Sequence, residues 1–251
     1  MCQKQFMSPS ESHQLYEQKS QDDWDYFLSS TSRLPDYWSK WEESSENWRI
    51  PIQFIQPLGL EYPEKLNPIK KLMDELAELE ELEVPPLNWI HMTYIHVGFL
   101  SPLDVLWSQV ESFYVNAAPR IRRVEPFSIE IRNLSISPDG RVYINIFDNG
   151  SYQELRRQIS LGVPFIGKKM NNTISETFIP TMDIAYTTGK GDKEKLISKL
   201  ENYRSIDAGI VNLNLMKLAR VPIQPHDHYL DLDVIAEIPL LGAQHRKGYH
   251  N

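Results

Sequence analysis

The sequence predicts an α/β (α+β) fold in which short strands and helices interleave in two similar halves, behind an N-terminal helical extension. Three observations predict it. From residue 49 onward, runs rich in β-branched and aromatic residues alternate with apolar stripes at helical spacing. Pro138-Asp139-Gly140 joins two alternating runs as a hairpin, so the sheet is antiparallel or mixed rather than doubly wound. Four of the six tryptophans, Trp24, Trp38, Trp41 and Trp48, crowd into residues 22–48, outside that pattern.

Each element has its own signal. Residues 1–20 are polar and are expected to be disordered. Trp24, Phe27 and Leu28 share one face of a short helix. Pro35 suits the first turn of a second helix, which places Trp38 and Trp41 one turn apart. Residues 48–55 read as a strand. Residues 67–82 read as an amphipathic helix with Ile69, Leu72, Met73, Leu76, Leu79 and Leu82 on its apolar side, ended by Pro85-Pro86. Residues 88–98 form a strand, and Pro102 opens a helix carrying Leu103, Leu106, Trp107, Val110 and Phe113. The hairpin pairs residues 127–136 with 142–147. Ser151 caps a helix through Ile159. A strand within 174–187, a helix over 192–202 and strands over 206–218 and 230–238 complete the chain.

Composition excludes several function classes. The chain has 251 residues, long enough to bury a sizeable core without staples. Its one cysteine, Cys2, permits no internal disulfide and no cysteine-based zinc site. Asp plus Glu outnumber Lys plus Arg by 34 to 26, for a net charge of −8. Such a chain disfavours broad nucleic-acid binding, although a local pocket can still take a small anion. No apolar run approaches the length of a membrane span, and the start carries no secretory pattern, so the expected compartment is the cytoplasm. Nothing points to a cofactor or a metal.

The chemistry concentrates at Trp89-Ile90-His91-Met92-Thr93-Tyr94. On a strand, His91 and Thr93 face one way, and Met92, Tyr94 and His96 the other. An imidazole beside a hydroxyl suits phosphoryl chemistry, because one moves a proton and the other hydrogen-bonds a phosphate oxygen. The run from Pro85 to Phe99 resembles the first motif of the two-histidine phosphoesterase superfamily, which includes the 2′,5′ RNA ligase-like and RNA 2′,3′-cyclic phosphodiesterase proteins. The resemblance covers residues 49–240 and implies two pseudo-symmetric lobes around a central cleft. It also implies a His-x-Thr/Ser motif in each lobe, with one histidine as base, the other as acid, and the hydroxyls on the phosphate.

The second motif departs from that pattern. In Phe178-Ile179-Pro180-Thr181-Met182-Asp183-Ile184-Ala185-Tyr186, Thr181 takes the histidine position and Asp183 the threonine position. Thr181 exchanges no proton near neutral pH, and Asp183 sets a carboxylate where the family holds phosphate. The expected organisation is therefore an extension over 1–48, a phosphoesterase-like domain over 49–240 and a tail over 241–251. The expected site has His91 and Asp183 as catalytic candidates, with Thr93 and Thr181 as substrate-positioning groups. It acts on, or binds, a non-classical small or nucleotide-like ligand. The alternatives are a non-catalytic binding module, with protein contact through the tryptophan segment, and residual cyclic phosphodiesterase activity. His96 is expected outside the cleft. His226-Asp227-His228, Lys168-Lys169 and Arg156-Arg157 read as loop or surface residues.

Overall fold

The computed structural model describes residues 9–30, 33–163 and 178–242. Cys2, Lys168, Lys169, the start of the strand expected from residue 174, and the tail from 243 lie outside the described residues. Two helices, α1 (Pro9–Ser29) and α2 (Tyr37–Ser44), precede β1 (Pro51–Gln56). Then come α3 (Leu58–Glu61), α4 (Asn67–Leu76), β2 (Leu82–Glu83), a 3-10 turn at Leu87–Trp89 and β3 (Met92–Phe99). Helix α5 (Trp107–Ile121) leads into the hairpin of β4 (Phe127–Ile136) and β5 (Arg141–Asp148). The remainder is α6 (Ser151–Gly162), β6 (Thr181–Thr187), α7 (Lys193–Glu201), β7 (Asp207–Leu213), β8 (Leu215–Arg220) and β9 (Asp233–Pro239).

The strands form one antiparallel sheet in the order β7-β4-β5-β6-β3-β1-β8-β9, with β2 added beside β6. This is the expected mixed fold, and its two halves are the four strands on either side of the β6–β3 seam. One connection dictates its curvature. Strands β7 and β8 stand six places apart, about 29 Å in a flat sheet, yet only Asn214 separates them in sequence. A single residue spans about 4 Å, so the sheet must curl until its two halves meet behind the seam. The large apolar core includes Ile69, Leu72 and Leu76 of α4, Phe113 of α5 and Leu155 and Ile159 of α6. Along the seam only one residue pair, Met92 with Met182, is in register, so β3 and β6 part on either side of it and leave a cleft.

Several elements depart from expectation. Residues 9–20 are helical, not disordered. The inward face of α1 is partly polar: Ser20 takes hydrogen bonds from Ser135 and Asn145, each at 2.8 Å, and Asp23 takes one from Tyr143 at 2.8 Å. Trp24 and Phe27 are buried, but Leu28 is exposed. Helix α4 stops at Leu76, because the following segment turns back to pair with β6 and to bury Glu81. Helix α5 starts five residues after Pro102, leaving Leu103, Leu106 and Trp107 exposed; Asp104 instead accepts from the Phe99 amide at 2.6 Å. Helix α6 has Gly150, not Ser151, at its N-cap. The strand expected over 206–218 is two strands in opposite halves. No helix among the described residues is long and apolar enough to cross a membrane.

Candidate active site

The seam builds the site. Antiparallel pairing of Met92 with Met182 sets His91 beside Asp183 and Thr93 beside Thr181, with all four side chains on one face. The structure brings all four together around one cavity of about 170 Å³. His91 itself precedes β3, because Trp89 ends a 3-10 turn and only Met92 enters the ladder.

Two bulges extend the wall. Along β1 and β3, Ile55 pairs with Thr93 and Phe54 with Ile95, so Tyr94 is an extra residue. Along β5 and β6, Tyr143 pairs with Asp183 and Val142 with Ala185, so Ile184 is extra. Each bulge follows its motif by one residue, and each shifts the side-chain alternation. His96 and Tyr186 therefore join the motif face and line the cavity. This corrects the placement of His96 outside the cleft, since simple strand parity holds only while the ladder is unbroken.

The neighbouring strands supply one holder for each motif. Gln53 of β1 accepts a hydrogen bond from Thr93 Oγ1 at 2.8 Å. Arg141 of β5 reaches Asp183 at 3.4 Å and Asp139 at 3.1 Å. Both holders line the cavity, and sequence reasoning missed both. Gln53 was legible as the one polar residue in Ile52-Gln53-Phe54-Ile55; Arg141 carried no signal beyond its place after the turn. That turn is tight. Gly140 has φ +98°, and a Cβ there would collide with Thr187 Oγ1. It fixes Arg141 and Asp139 relative to β6, with the Thr187 amide donating to the Gly140 carbonyl at 2.9 Å.

The electrostatics follow from burial. His91 Nδ1 lies 2.7 Å from the Trp89 carbonyl, which can only accept, so Nδ1 carries the proton and Nε2 keeps its lone pair. Burial lowers the His91 pKa, against the opposing pull of that hydrogen bond and of Asp183. Burial raises the Asp183 carboxyl above its ordinary range, with Arg141 pulling it down and Asp139 pushing it up. Burial takes His96 down to about 3, so it is neutral at working pH.

Helix α2 lies on the cavity side. Tyr37 and Trp38 pack on Tyr186, with ring centroids 4.5 and 5.0 Å away, and Trp41 stacks on His96 at 6.4 Å. His228 is stacked by Trp38 at 4.3 Å and Trp48 at 5.3 Å, and its Nδ1 meets Glu83 at 2.5 Å. It is thus part of the aromatic packing, and no group of three or more metal-ligating side chains occurs among the described residues. Arg156 is not a surface residue; it is buried with its guanidinium over the Phe178 ring at 4.3 Å.

No family model matches the chain, and no curated protein matches it. Solved structures do resemble it. The protein TT0787 of Thermus thermophilus superposes with a TM-score of 0.60 at 12% identity, covering 77% of this chain and 99% of that one. A structure described as a phosphoesterase gives 0.53 at 11% identity, covering 76% and 98%. E. coli LigT complexed with phosphate gives 0.52 at 10% identity, again covering 76% and 98%. The curled antiparallel sheet with its central cleft is therefore the fold of the LigT-like, two-histidine phosphoesterases.

Proposed function

We propose that the cleft binds a small polar ligand that is not a phosphodiester, and that His91 acts on it as proton acceptor with Asp183 as its partner. One observation carries the reading: Asp183 stands opposite His91 across the seam and is paired with Arg141, which it shares with Asp139. His91 presents Nε2 with its lone pair, since Nδ1–H is committed to Trp89. A proton taken there makes an imidazolium, and the carboxylate opposite stabilises it. Thr93 and Thr181 position the ligand.

Phosphodiester hydrolysis fits poorly. A phosphate about 4 Å from the Asp183 carboxylate meets a repulsion of roughly 4 kcal/mol at an effective dielectric of 20. Thr181 supplies no second proton-transfer group. The phosphate named with E. coli LigT is that protein's ligand, and the departures at positions 181 and 183 argue against the same ligand here. A partner-docking role for the tryptophan segment has less support, because Trp24 and Trp38 are buried and Trp41 and Trp48 stack on other rings of the chain. The test is hydrolysis of 2′,3′-cyclic AMP by the full chain. Turnover close to background is expected. Robust turnover that His91→Ala abolishes would overturn the proposal.

A further inference from the structure

The hydrogen-bonding character of the cavity narrows the class of ligand, and the choice rests on the reading of the cleft just given. Three of the four motif residues meet a ligand as acceptors, and the Thr181 hydroxyl can give or take a hydrogen bond. His91 offers Nε2 with a lone pair. Thr93 has committed its proton to Gln53 and keeps only lone pairs. Asp183 retains about a quarter of its side-chain exposure, and its Oδ1 has no hydrogen-bond partner within the protein. A buried acceptor without a donor is costly, so a donor is the group this corner lacks, whereas Trp89 Nε1–H and the Tyr94 hydroxyl elsewhere on the wall have no protein partner either.

Charge points the same way. Arg141 is the cation of the cavity wall, but it is shared between two carboxylates: its Nε faces Asp139 and its Nη1 faces Asp183. With His91 and His96 neutral, the cluster of Arg141, Asp139 and Asp183 carries one net negative charge. The rest of the wall is largely aromatic, with Trp89, Tyr94, Phe178 and Tyr186 lining the cavity. Aromatic faces attract organic cations. A volume near 170 Å³ lies below the roughly 300–1,000 Å³ of drug-sized sites, so the occupant is small.

We infer that the cleft takes a small organic cation, an amine or amidine on a compact apolar body. Its N–H donors would face Asp183 and His91 Nε2, and its body would lie among the aromatic rings.

The experiment uses the full chain with three single-ring probes of similar size: benzylamine, benzyl alcohol and benzoate. Calorimetry and thermal shift at neutral pH should show benzylamine binding most tightly and benzoate not binding. Asp183→Asn keeps the shape and removes the charge, and should weaken benzylamine about tenfold or more while leaving benzyl alcohol nearly unchanged. Thr93→Val serves as a second variant should Asp183→Asn fold poorly; it should weaken benzyl alcohol and benzylamine alike and preserve their order. Benzoate binding as tightly as benzylamine, or no benzylamine binding at millimolar concentration, would overturn the assignment. Benzyl alcohol binding alone would also overturn it, yet leave the proposed function standing. Turnover of 2′,3′-cyclic AMP would instead remove the proposed function itself.

Discussion

Replacing Arg141 by methionine tests whether Asp183 is held as a charged group. The guanidinium lies 3.4 Å from Asp183 and 3.1 Å from Asp139. At an effective dielectric of 20, the contact with Asp183 is worth about 5 kcal/mol of Coulomb energy. Arg141 is 33% and Asp183 23% exposed, so solvent screens part of this, and the guanidinium's own desolvation cost disappears with it. A net loss of about 2 kcal/mol at neutral pH remains. For a chain of this size that lowers Tm by about 4–8 °C. The loss depends on pH with a definite sign. The folded Asp183 pKa is already raised, and removing Arg141 raises it further. A carboxyl raised on folding binds more protons folded than unfolded, so stability falls as pH rises through the folded value. The deficit of Arg141→Met should therefore be largest on the alkaline side of neutrality and shrink as pH falls and Asp183 takes up its proton. Calorimetric melts of wild type and variant across that range measure it. Arg141→Met combined with Asp183→Leu should recover most of the loss, since both charges go together. A deficit that is the same at every pH, or is absent, would refute the view that Asp183 is ionised and held by Arg141.

Two further outcomes follow from the same geometry. Thr181→His with Asp183→Thr supplies a second proton-transfer group and removes the carboxylate, so the double variant should gain measurable hydrolysis of 2′,3′-cyclic AMP while each single variant gains much less; equal gains from one single variant would show that the two positions act independently. His96→Phe should lessen acid sensitivity, because a buried histidine held near pKa 3 costs stability once pH drops below its unfolded value of about 6.5. At about pH 5 the wild type should lose about 2 kcal/mol through His96 that the variant keeps, read as a smaller Tm drop between about pH 7 and pH 5.

The parts of the fold that the sequence disclosed are those whose signals are local. The hairpin is legible because Pro138-Asp139-Gly140 contains both a preset torsion and a residue free to take φ +98°. The apolar stripe of α4 is legible because its buried face is hydrophobic. The hidden parts are long-range. The inward face of helix α1 mixes polar Ser20 and Asp23, hydrogen-bonded to β4 and β5, with Tyr16, Trp24 and Phe27, so its apolar stripe announces only the C-terminal part. The break at Asn214 leaves no mark, because β7 and β8 both read as strand and differ only in which strand they pair with. The candidate site divides likewise. The residue pair in each motif was visible, but the bulges at Tyr94 and Ile184 are properties of pairing, and they place His96 and Tyr186.

The two bulges also allow the halves of the site to be compared position by position. A shift of ninety residues carries His91 to Thr181, Thr93 to Asp183, Tyr94 to Ile184 and His96 to Tyr186. The register then makes Gln53, opposite His96, the counterpart of Arg141, opposite Tyr186. In one half a threonine is held by a glutamine; in the other an aspartate is held by an arginine. A carboxylate introduced alone into this position would leave an uncompensated charge in a desolvated cleft, at a cost of several kcal/mol. The arginine at the equivalent place removes most of that cost and keeps the carboxylate ionised beside His91. A cleft with no use for a charge demands no such pairing, since small or apolar side chains would fill both positions more cheaply. The Asp183–Arg141 pair sets a negative charge opposite His91 in the cleft.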